Sequence, residues 1–210
     1  MPTRRTTVKV PTVKVRVPQA QRSARTRAAL LSAARSLFAD QGFAQTGREE
    51  IAERAGVTRG ALYHHFDSKA AVMLGVVEQL EAELVDRVVR AAEGGEGFGE
   101  QLSLGCRAYM DACADPSVAR LLVEAPVVLG PDVCRALDAA SCVPLLLEVF
   151  DRAGGENVAV PGRREVAARL LLGLLNEAAT LIATAPENSE RREAVTETVD
   201  AFLSKLFAVT

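Results

Sequence analysis

Residues 51–66 read Ile51-Ala52-Glu53-Arg54-Ala55-Gly56-Val57-Thr58-Arg59-Gly60-Ala61-Leu62-Tyr63-His64-His65-Phe66 and are the most informative part of the 210-residue sequence. Apolar residues recur at helical spacing on both sides of Gly56, whose backbone freedom suits a tight turn. Thr58 follows the turn and can cap a second helix by accepting a backbone N–H. Two short helices joined by a glycine turn predict a helix-turn-helix motif.

The second predicted helix has an inner and an outer face. At about 100° per residue, Leu62 and Phe66 point inward, toward the rest of the domain. The residues that point outward are Gly60, Tyr63 and His64. Together with Arg59 at the capped N-terminus, such donors suit contact with a phosphate backbone. Lys69, at the start of the next helix, is predicted to add a second phosphate site.

Helices are also predicted on both sides of this motif. An amphipathic helix from about Ser23 ends at Gly42, and Thr46-Gly47-Arg48-Glu49 reads as a capping box in which the Thr46 hydroxyl accepts from the Glu49 amide. A long helix is expected over about 68–92, followed by a glycine-rich break at 94–97. Further helices are expected near 98–114, 116–129, 131–153, 163–185 and 188–207. The predicted fold class is all-α, with a three-helix head joined by a long helix to an all-helical domain.

Charge is divided unevenly along the chain, although the formal net charge is only −2. Residues 1–69 contain 13 Lys and Arg against 5 Asp and Glu, whereas residues 70–210 contain 12 against 22. A basic head on an acidic body is typical of a protein that binds a polyanion through the head. A charge bias that only serves solubility is the alternative.

The sequence predicts no membrane segment and no secretory signal. Its longest largely apolar run, residues 170–185, is interrupted by Asn176 and Glu177 and is shorter than the ~18 residues of a span. The first 21 residues are basic and punctuated by proline, without an apolar core. We therefore expect a cytoplasmic protein.

Catalytic and metal sites have little support in the sequence. The adjacent side chains of His64 and His65 diverge on a helix and cannot chelate one ion together. The spacing of the four cysteines, Cys106, Cys113, Cys134 and Cys142, favours reduced, buried thiols. No nucleophile–base arrangement occurs, so we expect no enzyme activity, no metal and no cofactor.

Residues 24–69, and above all 51–66 with the following Ser68-Lys69, resemble the DNA-binding domain of the tetracycline-repressor (TetR) family. By position, the residues that match phosphate contacts of the family are Thr46, Arg59, Tyr63, His65 and Lys69, and those at or near the bases are Thr58, Gly60 and His64. Arg48, in the same motif, is a further DNA-binding candidate. Gly47 departs from the β-branched or polar residue usual in the family, and His65 also suits a half-buried structural role.

The resemblance also implies how the chain is divided and what it binds. We expect a flexible basic arm over residues 1–21, a helix-turn-helix domain over 22–69 with its motif at 47–66, and a ligand-binding and dimerisation domain over 70–210. The arm either contacts DNA or is a tail without a role. Residues 163–207 are expected to form a homodimer by packing against a second copy.

The resulting expectation is a homodimeric repressor that a small apolar effector releases from a palindromic operator in double-stranded DNA. Candidate effector contacts are Tyr109, Asn176 and Glu177, although the last two equally suit a dimer interface or contact with water. The alternative is a DNA-binding regulator with no small-molecule inducer, controlled by a protein partner or acting structurally. A cavity of about 300–1,000 Å³ within residues 98–185 would favour the first reading.

Overall fold

The computed structural model describes residues 19–152 and 163–206, and every regular element within those ranges is an α-helix. The helices are α1 (Gln19–Gln41), α2 (Arg48–Arg54), α3 (Arg59–His65), α4 (Lys69–Ala92), α5 (Phe98–Cys113), α6 (Pro116–Leu129), α7 (Pro131–Arg152), α8 (Arg164–Ala183) and α9 (Ser189–Leu206). The predicted all-α fold class is confirmed. Residues 19–21, predicted as part of the arm, instead open α1, and the rest of the predicted arm lies outside the described residues.

Side-chain caps define the starts of the helices around the turn. Thr58 Oγ1 accepts from the Ala61 N–H at 3.2 Å, and Ser68 Oγ accepts from the Ala71 N–H at 3.0 Å. The predicted capping box is wrong, because the N-cap of α2 is Gly47 and no side chain caps it. The buried Thr46 hydroxyl instead donates to the Gly42 carbonyl at 2.8 Å, which closes the turn between α1 and α2.

One hydrophobic cluster joins the helix-turn-helix domain to the rest of the chain. Its members in the head are the buried side chains of Leu30, Leu31, Leu37, Phe38, Ile51, Leu62 and Phe66. The same cluster continues into α4 through Val72 and Val76, and into α6 through Leu121 and Ala125. The head therefore shares its core with α4 and α6, and a movement of either helix is felt at the base of the DNA-binding motif.

A second cluster packs α5, α7, α8 and α9 together around Met110, Phe150 and Ile182. Within the described ranges, α8 is the one helix long and apolar enough to cross a membrane by length and composition. Several of its apolar side chains, including Leu171 and Ile182, are buried in this cluster, as they are in the core helix of a globular domain.

Candidate functional site

The outer face of α3 is presented to solvent as the phasing predicts. Leu62 and Phe66 are buried beneath it, whereas the residues on its surface are Thr58, Arg59, Gly60, Tyr63 and His64. Tyr63 is 46% exposed, unusually high for a tyrosine beside a core, and His65 is half-buried. The Thr58 hydroxyl caps α3 by accepting from the Ala61 N–H, which satisfies one of the amides at the N-terminus of the helix.

Two arginines flank this face and hold defined positions. The Arg48 guanidinium carbon lies 4.5 Å from the centroid of the Tyr63 ring, and its Nη1 donates to the Asp67 carbonyl at 3.2 Å. Arg59 Nη1 pairs with Glu49 Oε1 at 2.7 Å, and both side chains are largely exposed. Such an exposed pair is weak, so a phosphate can compete for Arg59.

Lys69 and Thr46, both predicted to contact phosphate, are engaged inside the head. Lys69 Nζ donates to the carbonyls of Phe43 at 2.7 Å and Thr46 at 2.9 Å, and the ammonium lies 4.3 Å from the centroid of the Phe43 ring. These contacts make Lys69 a positioning residue for the α1–α2 turn. Phosphate contact by either residue stays a prediction, because it would require these internal bonds to open.

A cavity of about 290 Å³ lies between α4, α5, α7 and α8. Its walls are mostly aliphatic and include Leu84, Val85, Val88, Leu102, Leu146, Val149 and Leu172. The volume falls at the lower limit of typical ligand cavities. The predicted region 98–185 supplies three of the four helices, but α4 supplies a wall that lies outside it.

Glu81 and Tyr109 line the polar end of the cavity, and Asp138 and Asn176 lie behind them and complete a hydrogen-bonded chain of four side chains. Glu81 lines the cavity, is 7% exposed and hydrogen-bonds to Asp138. Asp138 Oδ2 also accepts from Asn176 Nδ2 at 2.7 Å, and the Tyr109 hydroxyl reaches Asn176 Oδ1 at 3.4 Å. Burial, followed by the charge of Asp138, raises the pKa of Glu81 to about 8. At neutral pH Glu81 therefore keeps its proton and donates a hydrogen bond to Asp138.

The three predicted effector contacts have different positions. Tyr109 lines the cavity, whereas Asn176 lies behind it and orients both Tyr109 and Asp138. Glu177 is exposed and does not line the cavity, because one further residue along α8 turns its side chain away from Asn176. The exposed position of Glu177 leaves the two alternatives, a dimer interface or contact with water.

Sequence reasoning missed Glu81 and Asp138. Glu81 lies four residues after Val77 and three before Leu84, which places a carboxyl group on the buried stripe of α4. This interruption of an apolar stripe was a readable signal. Its partner Asp138 was not readable, because only the packing of α7 against α4 brings the two together.

A second set of polar contacts joins α6 to the head. Arg120 Nη1 donates to the Asp40 carbonyl at 2.9 Å, and Glu124 Oε2 accepts from the Phe43 N–H at 2.6 Å. Both contacts are made to the end of α1 and the turn that Lys69 holds from the other side. The α1–α2 turn is thereby clamped between α4 and α6.

A set of exposed apolar side chains lies on α8 and α9. Its members are Val166, Leu170, Leu181 and Phe202, of which Leu170 is 71% exposed. Gly173 lies on the exposed side of α8, and a Cβ atom built there would meet nothing within 4 Å. This surface lies within the predicted dimerisation segment and is called the α8–α9 stripe below.

No group of three His, Cys, Asp or Glu side chains in residues 19–152 and 163–206 is arranged to hold a metal ion. Three of the cysteines, Cys106, Cys113 and Cys142, have their pKa raised by burial to about 12. They remain thiols at neutral pH and are poor nucleophiles.

Comparison with known proteins gives matches to both parts of the chain. Residues 30–76 match the family model of bacterial regulatory proteins of the tetR family, and residues 99–206 match the tetracyclin repressor-like C-terminal domain. A TetR-family transcriptional regulator from Pectobacterium atrosepticum superposes with a TM-score of 0.78 at 31% identity, over 92% of this chain and 99% of that one.

Two curated relatives are similar over shorter stretches. The HTH-type transcriptional activator FasR of Mycolicibacterium smegmatis is 32% identical over 143 residues, which cover 67% of this chain and 64% of FasR. The HTH-type transcriptional regulator TtgR of Pseudomonas putida is 42% identical over 81 residues, covering 39% of this chain and 37% of TtgR. Both matches span less than two thirds of the relative's length.

Proposed function

The chain belongs to the tetracycline-repressor (TetR) family of transcriptional regulators, and we propose that it is a cytoplasmic homodimeric repressor which a small effector releases from a palindromic DNA operator. The observation that carries this proposal is the course of α4. The helix starts at Lys69 beneath the DNA-binding motif and, from Glu81 onward, forms one wall of the cavity. A ligand in the cavity thus touches the same helix that positions the head.

The exposed face of α3 is the proposed reading surface. Arg59 and the Tyr63 hydroxyl would contact phosphates, which position the head without specifying sequence. Gly60 and His64 would lie closest to the base edges, because Gly60 lets the helix backbone approach the groove. Arg48 would act through Tyr63, whose ring it covers.

The α8–α9 stripe is the proposed dimer interface. A second copy that packs against Leu170, Leu181 and Phe202 removes exposed apolar surface from water, which is favourable by roughly 25 cal/mol per Å². An obligate interface is expected to bury upwards of ~2,000 Å² in total. Two-fold symmetry then places two α3 helices on successive major grooves, about 34–36 Å apart.

The proposed switch acts through α4 and α6 together. An effector that spreads the cavity displaces α4, and the turn that Lys69 and Glu124 clamp moves with it. A few ångströms of change in the separation of the two heads would prevent both from docking at once. A coupling of about 1–3 kcal/mol is sufficient for control.

Selection of duplexes from a random DNA pool by the full-length protein tests the DNA-binding half of the proposal. The enriched sequence is expected to be two-fold symmetric, with half-sites one helical turn or a multiple apart. His64→Ala should change the enriched bases, whereas Glu190→Ala, on the exposed first turn of α9, should leave them unchanged. Enrichment of an unsymmetrical site, or of none, would contradict the proposal.

A variant that fills the cavity tests whether an effector that binds there releases the operator. Val149→Trp should abolish release of the selected operator by apolar compounds while leaving operator binding intact, whereas Val127→Trp, on the exposed surface of α6, should respond normally. By reciprocity, operator DNA must weaken effector binding by the factor with which effector weakens DNA binding. Equal effector affinity with and without operator would favour the alternative, a regulator controlled by a protein partner. The small volume of the cavity is the observation that favours this alternative.

A further inference from the structure

We propose that the cavity selects an amphipathic cation, namely an apolar molecule with a protonated amine whose ammonium group is received by Glu81, which Asp138 supports from behind the lining. This inference rests on the proposed effector role of the cavity and names the chemical class of the effector. It is carried by three features of the described residues: the charges of the lining, the position of the acidic pair and the shape of the apolar walls.

The lining is acidic and contains no basic side chain among its described members. Glu81 lies at the inner end, and Glu93 and Glu148 lie at the exposed rim, near the ends of α4 and α7. No Lys, Arg or His is found among the described residues that surround the space. An anionic ligand such as a fatty acid would therefore place its carboxylate beside the buried carboxyl group of Glu81 at the inner end.

The acidic pair has no cationic partner among the residues that the structure describes. Neither Glu81 nor Asp138 takes part in any of the ion pairs formed among residues 19–152 and 163–206. The pair places two carboxyl groups in a largely apolar setting, which is costly because burial disfavours the charged form and raises the pKa of both groups. Hydrogen bonds from Asn176 and from the protonated Glu81 only partly compensate. An ammonium group supplies the missing positive charge and three N–H donors.

The apolar walls suit the remainder of such a molecule. Aliphatic side chains from α4, α5 and α7, among them Val85, Leu102 and Leu146, extend from Glu81 toward the rim. A short alkyl chain or one ring system fits a volume of about 290 Å³. The chain would be buried along these walls while its amine faces the acidic pair.

The positive charge of the ammonium group lowers the pKa of Glu81, so part of the proton that Glu81 holds passes to water when the cation binds. The other titratable groups that face Glu81 are Tyr109 and Cys113 from α5 and Cys134 and Cys142 from α7, and Arg87 lies farther along α4. Burial raises the pKa of the tyrosine and of each thiol, so none of them supplies or takes this proton.

Three matched probes test the proposal on the full-length protein by isothermal titration calorimetry at pH 7. The probes are octylamine, 1-octanol and octanoate, which share one chain and differ only in a positive, neutral or negative head group. We expect octylamine to bind at least tenfold more tightly than octanol, and octanoate to bind most weakly. Repeating the octylamine titration in buffers of different ionisation enthalpy should reveal release of protons, up to one per ligand.

Variants at two positions on α4 test whether Glu81 causes the preference for the amine. Glu81→Gln should abolish the preference for the amine and the proton release while leaving octanol affinity within about threefold. Glu78→Gln, the same substitution one turn earlier on α4 and half exposed, should behave as wild type. A preference that survives in Glu81→Gln would overturn the assignment to the acidic pair.

The remaining outcomes separate this inference from the effector role itself. If octanol or octanoate binds as tightly as octylamine, the choice of a cation is wrong and the cavity remains an effector site. If none of the three binds up to its solubility limit, both the inference and the effector role of the cavity are contradicted.

Discussion

The Glu124 carboxylate on α6 accepts a hydrogen bond from the Phe43 N–H in the turn after α1, with Oε2 and N 2.6 Å apart. The carbonyl oxygen of Phe43 accepts a hydrogen bond from Lys69 Nζ on α4 at 2.7 Å. The backbone N–H and the carbonyl of Phe43 are thus held by α6 and α4, both of which lie outside the helix-turn-helix motif. A shift of α4 relative to α6 must strain or break one of these charge-assisted bonds.

Glu124→Ala is expected to lower the free energy of unfolding by about 1–3 kcal/mol, because it leaves the half-buried Phe43 N–H without its acceptor. Chemical denaturation monitored by circular dichroism measures this. Glu190→Ala removes an exposed carboxylate from α9 and serves as the control. A loss below about 0.5 kcal/mol, similar to the control, would mean that water replaces the carboxylate at no cost.

Lys69→Ala and Arg59→Ala are expected to weaken operator binding in different ways. Each phosphate contact contributes about −0.9 to the slope of log K against log salt. Arg59→Ala should therefore make the slope shallower by about two per dimer. Lys69→Ala should lower affinity and thermal stability and leave the slope unchanged, because its ammonium holds backbone carbonyls.

Fluorescence anisotropy at several salt concentrations gives both slopes. A shallower slope for Lys69→Ala would show that Lys69 does leave the turn to bind phosphate in the complex. An unchanged slope for Arg59→Ala would show that the guanidinium stays with Glu49.

Glu81→Gln is expected to flatten the dependence of stability on pH. Because burial, and then the charge of Asp138, raise the Glu81 pKa from 4.5 to about 8, the folded chain holds a proton that the unfolded chain releases above pH 4.5. Wild-type stability therefore falls as the pH rises from about 5 through 8, by up to about 1.4 kcal/mol per pH unit for one proton.

Urea denaturation at pH 5, 6.5 and 8 measures this effect, with Glu78→Gln as the matched control on the same helix. The advantage of Glu81→Gln over wild type should grow with pH, since glutamine has no proton to lose. Parallel stability curves for the two proteins would contradict the buried, protonated state of Glu81.

Leu170→Arg is expected to convert a dimer to a folded monomer. The side chain is 71% exposed in the protomer, so a charge costs little there, but it would be buried without a partner in the proposed interface. Sedimentation velocity at low micromolar concentration should give twice the chain mass for wild type and the chain mass for the variant. Val127→Arg, on the exposed surface of α6, should remain dimeric.

Patterns that span three or four residues were readable directly from the sequence. Leu62 and Phe66 are buried and Tyr63 is exposed, as the helical period requires, and Thr58 caps α3. These features depend on i to i+4 geometry and on one local hydrogen bond, both of which the neighbouring residues fix. Such local patterns also indicated the helical breaks and the assignment of the head.

Contacts between distant residues were decided by tertiary packing. Local pattern assigned Thr46 to the cap of α2 and Lys69 to phosphate, but packing turns the Thr46 hydroxyl toward Gly42 and the Lys69 ammonium onto the Phe43 carbonyl. The Glu81–Asp138 pair and the Glu124–Phe43 bond likewise join separate helices. A polar side chain takes whichever partner packing brings within about 3 Å while it excludes water, and the order of residues along one helix does not specify that partner.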